Sequence, residues 1–393
     1  MFWLLYVALH FAFNVNVPYA PSEFALNNAV KSYFVVSAPL VMLLLFIKSP
    51  VSLIVRRDFF WTTALLCLFA LSCNVAIRLY ELSGHLFYIP HLNALADLYI
   101  LRTLGPLAVT TGLVGLTSPG GTRSLTRIAV FSALVVGGVV GSVISGGRAS
   151  VTIAFLSICA VFVIKRQIVA VFVVAVIGII GAAIANLSAD YINNRANLYV
   201  QRSLQWVLIH KKGEAIVSIE SSTDWRRELI TRALDEWRSD SRIFWTGRAT
   251  YGFGVADEQA IFVAGGWEAV MQSALRRGVT HNLISDLLVT YGLIGMILYF
   301  VLLLAIARFL WSLYRHRSAL STAASNLVLV TMISSASWFV SSVLGGNYYP
   351  TELIWFIVIL MGGFHSRVAL TEGVRRTAAP LAGPARQYVG VRA

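Results

Sequence analysis

The chain has 393 residues, of which 58% are hydrophobic and only 12% charged, with a mean hydropathy of +0.74. Soluble domains are about half apolar and about a quarter charged, so a soluble domain, a disordered tail and a disulfide scaffold are excluded in favour of a polytopic membrane protein. The net charge of +13 raises nucleic-acid binding, which stands or falls on where the basic residues lie.

A spanning helix needs about 20 mostly apolar residues. Ten segments qualify in chain order: roughly 2–17, 32–47, 59–79, 98–116, 128–145, 149–164, 167–187, 282–307, 320–343 and 352–366. The first and last are short, and the ninth is diluted by Ser334, Ser335, Ser337, Ser341 and Ser342. Met1 runs straight into Phe2-Trp3-Leu4-Leu5 without a basic stretch, so no cleavable leader is expected. Cys67, Cys73 and Cys159 all sit in apolar runs, which leaves no disulfide framework and no thiolate metal cluster.

Charge fixes the orientation. With the N-terminus cytoplasmic, the inner ends carry Lys48, Arg56, Arg57, Arg123, Arg127, Lys165, Arg166, Arg308, Arg315, Arg317, Arg367, Arg375, Arg376, Arg386 and Arg392, fifteen of the 31 basic residues. The outer connections 14–31, 80–97 and 344–351 hold one lysine between them. This is the positive-inside pattern, and it accounts for the positive charge without nucleic acid. The expected fold is all-α: helices 1–7 over residues 1–187, a large helical periplasmic loop at 188–281, helices 8–10 over 282–366, and a disordered cytoplasmic tail at 367–393.

The loop holds twelve basic and eleven acidic residues. Connections of that length are uncommon and usually functional. Within 224–238, Leu229, Ile230, Ala233, Leu234 and Trp237 recur at helical spacing, Glu228 and Arg232 pair at i,i+4, and Thr223 or Asp224 is placed to cap. Segments 191–209 and 260–275, with Trp206 and Trp267, also read as amphipathic helices on the outer membrane surface.

The residues with chemistry gather on that outer side. Arg148 follows Ser145-Gly146-Gly147 in a tight turn, where both glycines tolerate positive φ; alone it also fits an arginine snorkelling at a helix end. Arg102 lies about a turn inside the fourth helix, where an unpaired charge costs ~2.5–3.5 kcal/mol. Arg78 has a similar depth, and Asp97 or Glu81 is available as a partner for either. Arg226, Arg227 and Arg248 lie in the loop, the last beside the glycine-rich Gly252-Phe253-Gly254. His281 directly precedes the eighth helix. The positive dipole end there disfavours an imidazolium and leaves the ring available as a base. Asp286, at i+5, lies off its face, whereas Ser285 at i+4 shares it. No metal-ligand set and no nucleophile elbow is present. Several arginines and one histidine therefore read as a site for a phosphorylated lipid with one base.

Arg226-Arg-Glu-Leu-Ile-Thr-Arg-Ala-Leu234, the Gly252-Phe253-Gly254 turn, His281-Asn-Leu-Ile-Ser-Asp-Leu-Leu-Val-Thr-Tyr-Gly292-Leu-Ile-Gly295 and Ser145-Gly-Gly-Arg148 together resemble the O-antigen ligase and polymerase family. The resemblance covers about 145–300 and implies a bacterial inner-membrane glycosyltransferase of lipopolysaccharide or polysaccharide biosynthesis. Its donor would be an undecaprenyl-diphosphate-linked glycan. Its acceptor would be lipid A-core for a ligase, or another lipid-linked repeat for a polymerase. It implies that Arg148 and Arg226 are essential arginines and His281 the essential histidine. Arg102, Arg227 and Arg248 are further candidates for the diphosphate, with no metal and no cofactor. A transporter or flippase of a lipid-linked or anionic substrate is the alternative; it would call for broken helices and repeats.

Overall fold

The computed structural model describes residues 5–7, 9, 59–82, 98–118, 124–205, 207–210, 214–248, 266, 268–275, 280–315 and 322–343. The expected spans at 32–47 and 352–366, most of 2–17, the tail at 367–393 and the Gly252-Phe253-Gly254 turn lie outside them. Among the described residues every regular element is a helix, as lipid demands of a chain that must satisfy its backbone internally.

The apolar helices are α1 (Phe59–Leu82), α2 (Leu98–Leu116), α3 (Leu125–Ile144), α4 (Arg148–Ile164) and α5 (Ile168–Leu187). The loop contributes α6 (Ala189–Asn194), α7 (Leu198–Leu204), α8 (Glu214–Ser239), α9 (Ser241–Thr246) and a helical segment at 268–275. Then come α10 (Leu283–Arg315) and α11 (Thr322–Val343). Four described helices are long and apolar enough to cross a membrane, within α1, α3, α5 and α10. Shorter apolar helices fall within α2, α4 and α11.

The burial pattern is that of a protein dissolved in lipid. Leu66, Phe69, Val136, Phe172 and Leu304 face outward, while Asn74, Arg78, Thr110, Thr111 and Ser142 are buried. With lipid outside, helix association relies on close packing by small residues. At the α2–α3 seam a Cβ on Gly105 would lie 2.4 Å from Ser142 Oγ, and one on Gly138 would lie 2.6 Å from the Gly105 carbonyl oxygen. α2 is the hub, touching α1, α3, α4 and α11.

Three details depart from the sequence reading. The loop helix runs from Glu214, so Thr223 and Asp224 lie inside α8 and cap nothing. Segment 191–209 is not one helix: it breaks at 195–197 between α6 and α7. α10 spans 33 residues and is interrupted at Gly292 (φ 66°, ψ −175°). The expected Glu228–Arg232 pair forms at 2.7 Å, and Arg232 also reaches Glu268 at 2.6 Å, joining α8 to segment 268–275. These two glutamates hold the exposed Arg232 guanidinium above its ordinary pKa, and Arg232 in turn pulls the Glu268 carboxyl below the usual range.

Candidate functional site

Two non-glycine residues among those described have left-handed backbones, His281 (φ 59°) and Arg166 (φ 57°). The αL region is costly for a residue with a Cβ, and such strain, once observed, points to function. At His281 the surroundings impose it. Asn282, one residue on, accepts from the backbone N–H groups of Ile284 (3.0 Å) and Ser285 (3.2 Å), capping α10, and donates through Nδ2 to the Val343 carbonyl at 2.7 Å. One residue back, Thr280 donates its backbone N–H (2.5 Å) and its hydroxyl (2.7 Å) to Asp286 Oδ1, and its hydroxyl also contacts Ser285 Oγ. His281 is thus displayed between two pinned neighbours. Asp286 does not orient the ring from the helix face; it reaches back to hold the residue that precedes it.

The imidazole lies against Trp225 of α8, ring centroids 5.4 Å apart and tilted 64°. Arg226 follows Trp225 and is half-buried, while Arg227 is exposed. α8 therefore brings Trp225 to the histidine and places Arg226 next to it in the chain, with Arg227 a further ~100° round the helix. It sits there because the fully buried Leu229 packs with Trp225 on Met271, Ala274 and Leu275.

A second group forms at the α3–α4 turn. Gly146 takes φ 69°, as expected, but Gly147 is extended at φ −95° and is needed for another reason. The stem of Arg102 runs across it, and a Cβ there would lie 3.0 Å from Arg102 Cγ. Arg102 Nε donates to the Ser145 carbonyl at 3.4 Å, and Ser150 Oγ donates to the Arg102 carbonyl at 3.0 Å. Arg102 and Arg148 are thus neighbours on one turn. Arg148 also feels the like charge of Arg202 in the last turn of α7, and two cations held near each other favour an anion between them. α7 touches α3, α4 and α8, and α8 touches α10, so the turn and the histidine are linked through the loop helices.

Arg248 is elsewhere and engaged. It pairs with Glu236 at 2.8 Å, donates to the Leu275 carbonyl, and donates its backbone N–H to the Val289 carbonyl at 2.9 Å. Glu236 is about 15 Å along α8 from Arg226. The sequence reading missed Arg202, Trp225 and Thr280; only the amphipathic pattern of the loop hinted at the first two.

Compared with known families, characterised proteins and solved structures, the chain finds no match in any of the three.

Proposed function

We propose that the chain crosses the membrane ten times, with its long loop on the periplasmic side, and is an inverting, metal-independent glycosyltransferase. Its donor is a glycan on undecaprenyl diphosphate, and its acceptor is a periplasmic hydroxyl of lipid A-core or of a second lipid-linked repeat. The observation that carries this reading is the strained His281, backed by Trp225 and next to the Arg226-bearing face of α8. The family resemblance of the same residues supports it.

The chemistry is a single displacement. The acceptor oxygen forms a bond to the anomeric carbon from the face opposite the leaving group, and the bond from that carbon to the diphosphate oxygen breaks. The acceptor proton passes to the His281 imidazole, a transfer worth ~10²–10⁴-fold. The negative charge released onto the diphosphate meets Arg148, Arg102, Arg226 and Arg227, whose planar forks suit phosphate oxygens. Arg248, already tied to Glu236 and Leu275, serves to fasten the loop.

The test is donor affinity alongside single-turnover transfer for His281→Ala in purified protein, repeated with EDTA. Retained donor binding with a rate lowered by ~10²-fold or more is expected, with EDTA having no effect. Unchanged turnover removes the histidine from the reaction, and loss with EDTA that one divalent ion rescues overturns the metal-free step.

One observation favours a second reading. α10 is broken at Gly292, and discontinuous helices are a mark of transporters. Movement of a lipid-linked glycan across proteoliposomes without covalent transfer would select that alternative.

A further inference from the structure

Arg166, the other left-handed residue, lies at the far end of α4 from Arg148, about 25 Å away along the helix axis. The backbone there forms a Schellman closure: Gln167 N–H donates to the Phe162 carbonyl at 2.8 Å and Arg166 N–H to the Val163 carbonyl at 2.9 Å. Glycine is the usual residue at that position because the αL conformation penalises a Cβ. This chain keeps an arginine there.

Beside it is a recess of about 160 Å³ lined by Ile164, Lys165, Arg166, Tyr314, Ser325 and Leu329, where the ends of α4 and α10 meet the start of α11. The lining divides by chemistry. Two cations, a phenol and a hydroxyl form the polar part, while Ile164 and Leu329 form the apolar part. Ser325 lies in the first turns of α11, whose positive dipole end adds to the attraction for an anion. Two of the carbonyls near the end of α4, those of Phe162 and Val163, which would repel one, are closed off by the Schellman bonds. Next to the recess Val163, Ile168 and Val169 present bare apolar surface, with Ile168 77% and Val169 78% exposed.

From this arrangement we infer that the recess seats the phosphate of an anionic membrane phospholipid, its acyl chains lying along α4 and α5. A phosphate oxyanion is the shared chemistry of a lipid headgroup and of free inorganic phosphate. The apolar wall and flank select the lipid, because they offer nothing to a free ion. Basic recesses between spanning helices are the expected form of such sites. The seat is separate from the proposed reaction and does not depend on it.

The full-length protein in detergent is titrated with phosphatidylglycerol and with phosphatidylcholine of the same acyl chains, and bound lipid is counted by native mass spectrometry. Inorganic phosphate serves as a competitor. Phosphatidylglycerol should bind at least about fivefold more tightly than phosphatidylcholine and resist displacement by inorganic phosphate. Arg166→Gly should lose about fivefold in phosphatidylglycerol affinity, the contribution of one basic residue at such a surface. Glycine suits the αL position, so this variant should unfold no sooner than the wild type, which separates lost binding from lost fold. The double variant Lys165→Gln/Arg166→Gln should lose about thirtyfold. Equal binding of the two lipids, or undiminished preference in Arg166→Gly, overturns the inference. Ready displacement by inorganic phosphate overturns the assignment to lipid.

Discussion

Gly292→Ala is expected to uncouple the loop from α10. Gly292 and Gly247 meet backbone to backbone: a Cβ on Gly292 would lie 2.4 Å from the Trp245 carbonyl oxygen and 2.5 Å from both the Gly247 and Thr246 nitrogens. No side chain can rotate away from these clashes, since the three nearest atoms are all main chain. The φ of 66° with ψ of −175° is itself a glycine-only conformation, costing an alanine ~1–3 kcal/mol. Relief requires the end of α9 to withdraw, which breaks the Arg248 N–H to Val289 bond and the Tyr6 hydroxyl's contacts with the Thr246 and Tyr291 carbonyls. Such bonds are worth ~0.5–1.5 kcal/mol each. The total is about 3 kcal/mol or more. Membrane proteins of this size commonly unfold irreversibly, so the readout is the half-life of folded, monodisperse protein in detergent at a fixed raised temperature. Gly292→Ala should shorten it by about ten- to a hundredfold. Gly181→Ala is the control, because a Cβ on Gly181 in α5 meets nothing within 4 Å; it should match the wild type or outlast it. A Gly292→Ala protein as long-lived as Gly181→Ala would refute the interlock.

Reporters fused after Arg57, Arg127, Arg166 and Arg317 should read cytoplasmic, and fusions within 200–270 periplasmic; a cytoplasmic result in that loop would separate the proposed site from its substrates. Arg148→Lys should lose most glycan transfer although charge is kept, because an ammonium cannot reproduce a planar fork on a diphosphate; near-normal transfer in purified enzyme would show that Arg148 only snorkels. Asp286→Ala should lower single-turnover transfer at least about tenfold by leaving the Thr280 donors unmet, while Asp286→Asn, which keeps the accepting oxygen, should retain most of it. Equal rates in those two variants would show that the carboxylate does not hold the His281 turn.

The apolar helices were legible because lipid imposes one rule on twenty residues at a time: expected spans such as 98–116 and 167–187 fall within a residue of α2 and α5. Helix ends in the loop were less so. Thr223 and Asp224 carry a capping signature, yet both are exposed on α8, where polar residues are equally at home. The break in α10 was hidden for a different reason. Gly292 and Gly295 stand in an apolar run whose local sequence marks no break, and only Gly247, 45 residues earlier, shows that one of them is a backbone contact. The role of Asp286 was half legible. Counting i+5 round a helix set it off the face of His281, but His281 lies outside α10, and the left-handed turn that lets Asp286 reach Thr280 has no local signature in a non-glycine residue.

The break in α10 also explains how a loop histidine is held in place. Leu283–Tyr291 is a half-helix of about 14 Å, anchored at both ends by distant parts of the chain. At its head, Asn282 binds the Val343 carbonyl of α11 and Asp286 holds Thr280. At its foot, the carbonyls of Val289 and Tyr291, which an unbroken helix would use internally, are taken by the Arg248 N–H and the Tyr6 hydroxyl. The Tyr6 ring lies over Gly295, where a Cβ would come 2.8 Å from Tyr6 Cε1. The G-L-I-G motif thus has two duties: Gly292 opens the helix to α9, and Gly295 makes room for the tyrosine that satisfies the opening. Because α9 also carries Phe244, stacked on Trp237 of α8 at 4.6 Å, the helix bearing Trp225 and Arg226 is referenced to the same half-helix as His281. The arginine-bearing loop and the histidine are therefore positioned against one platform.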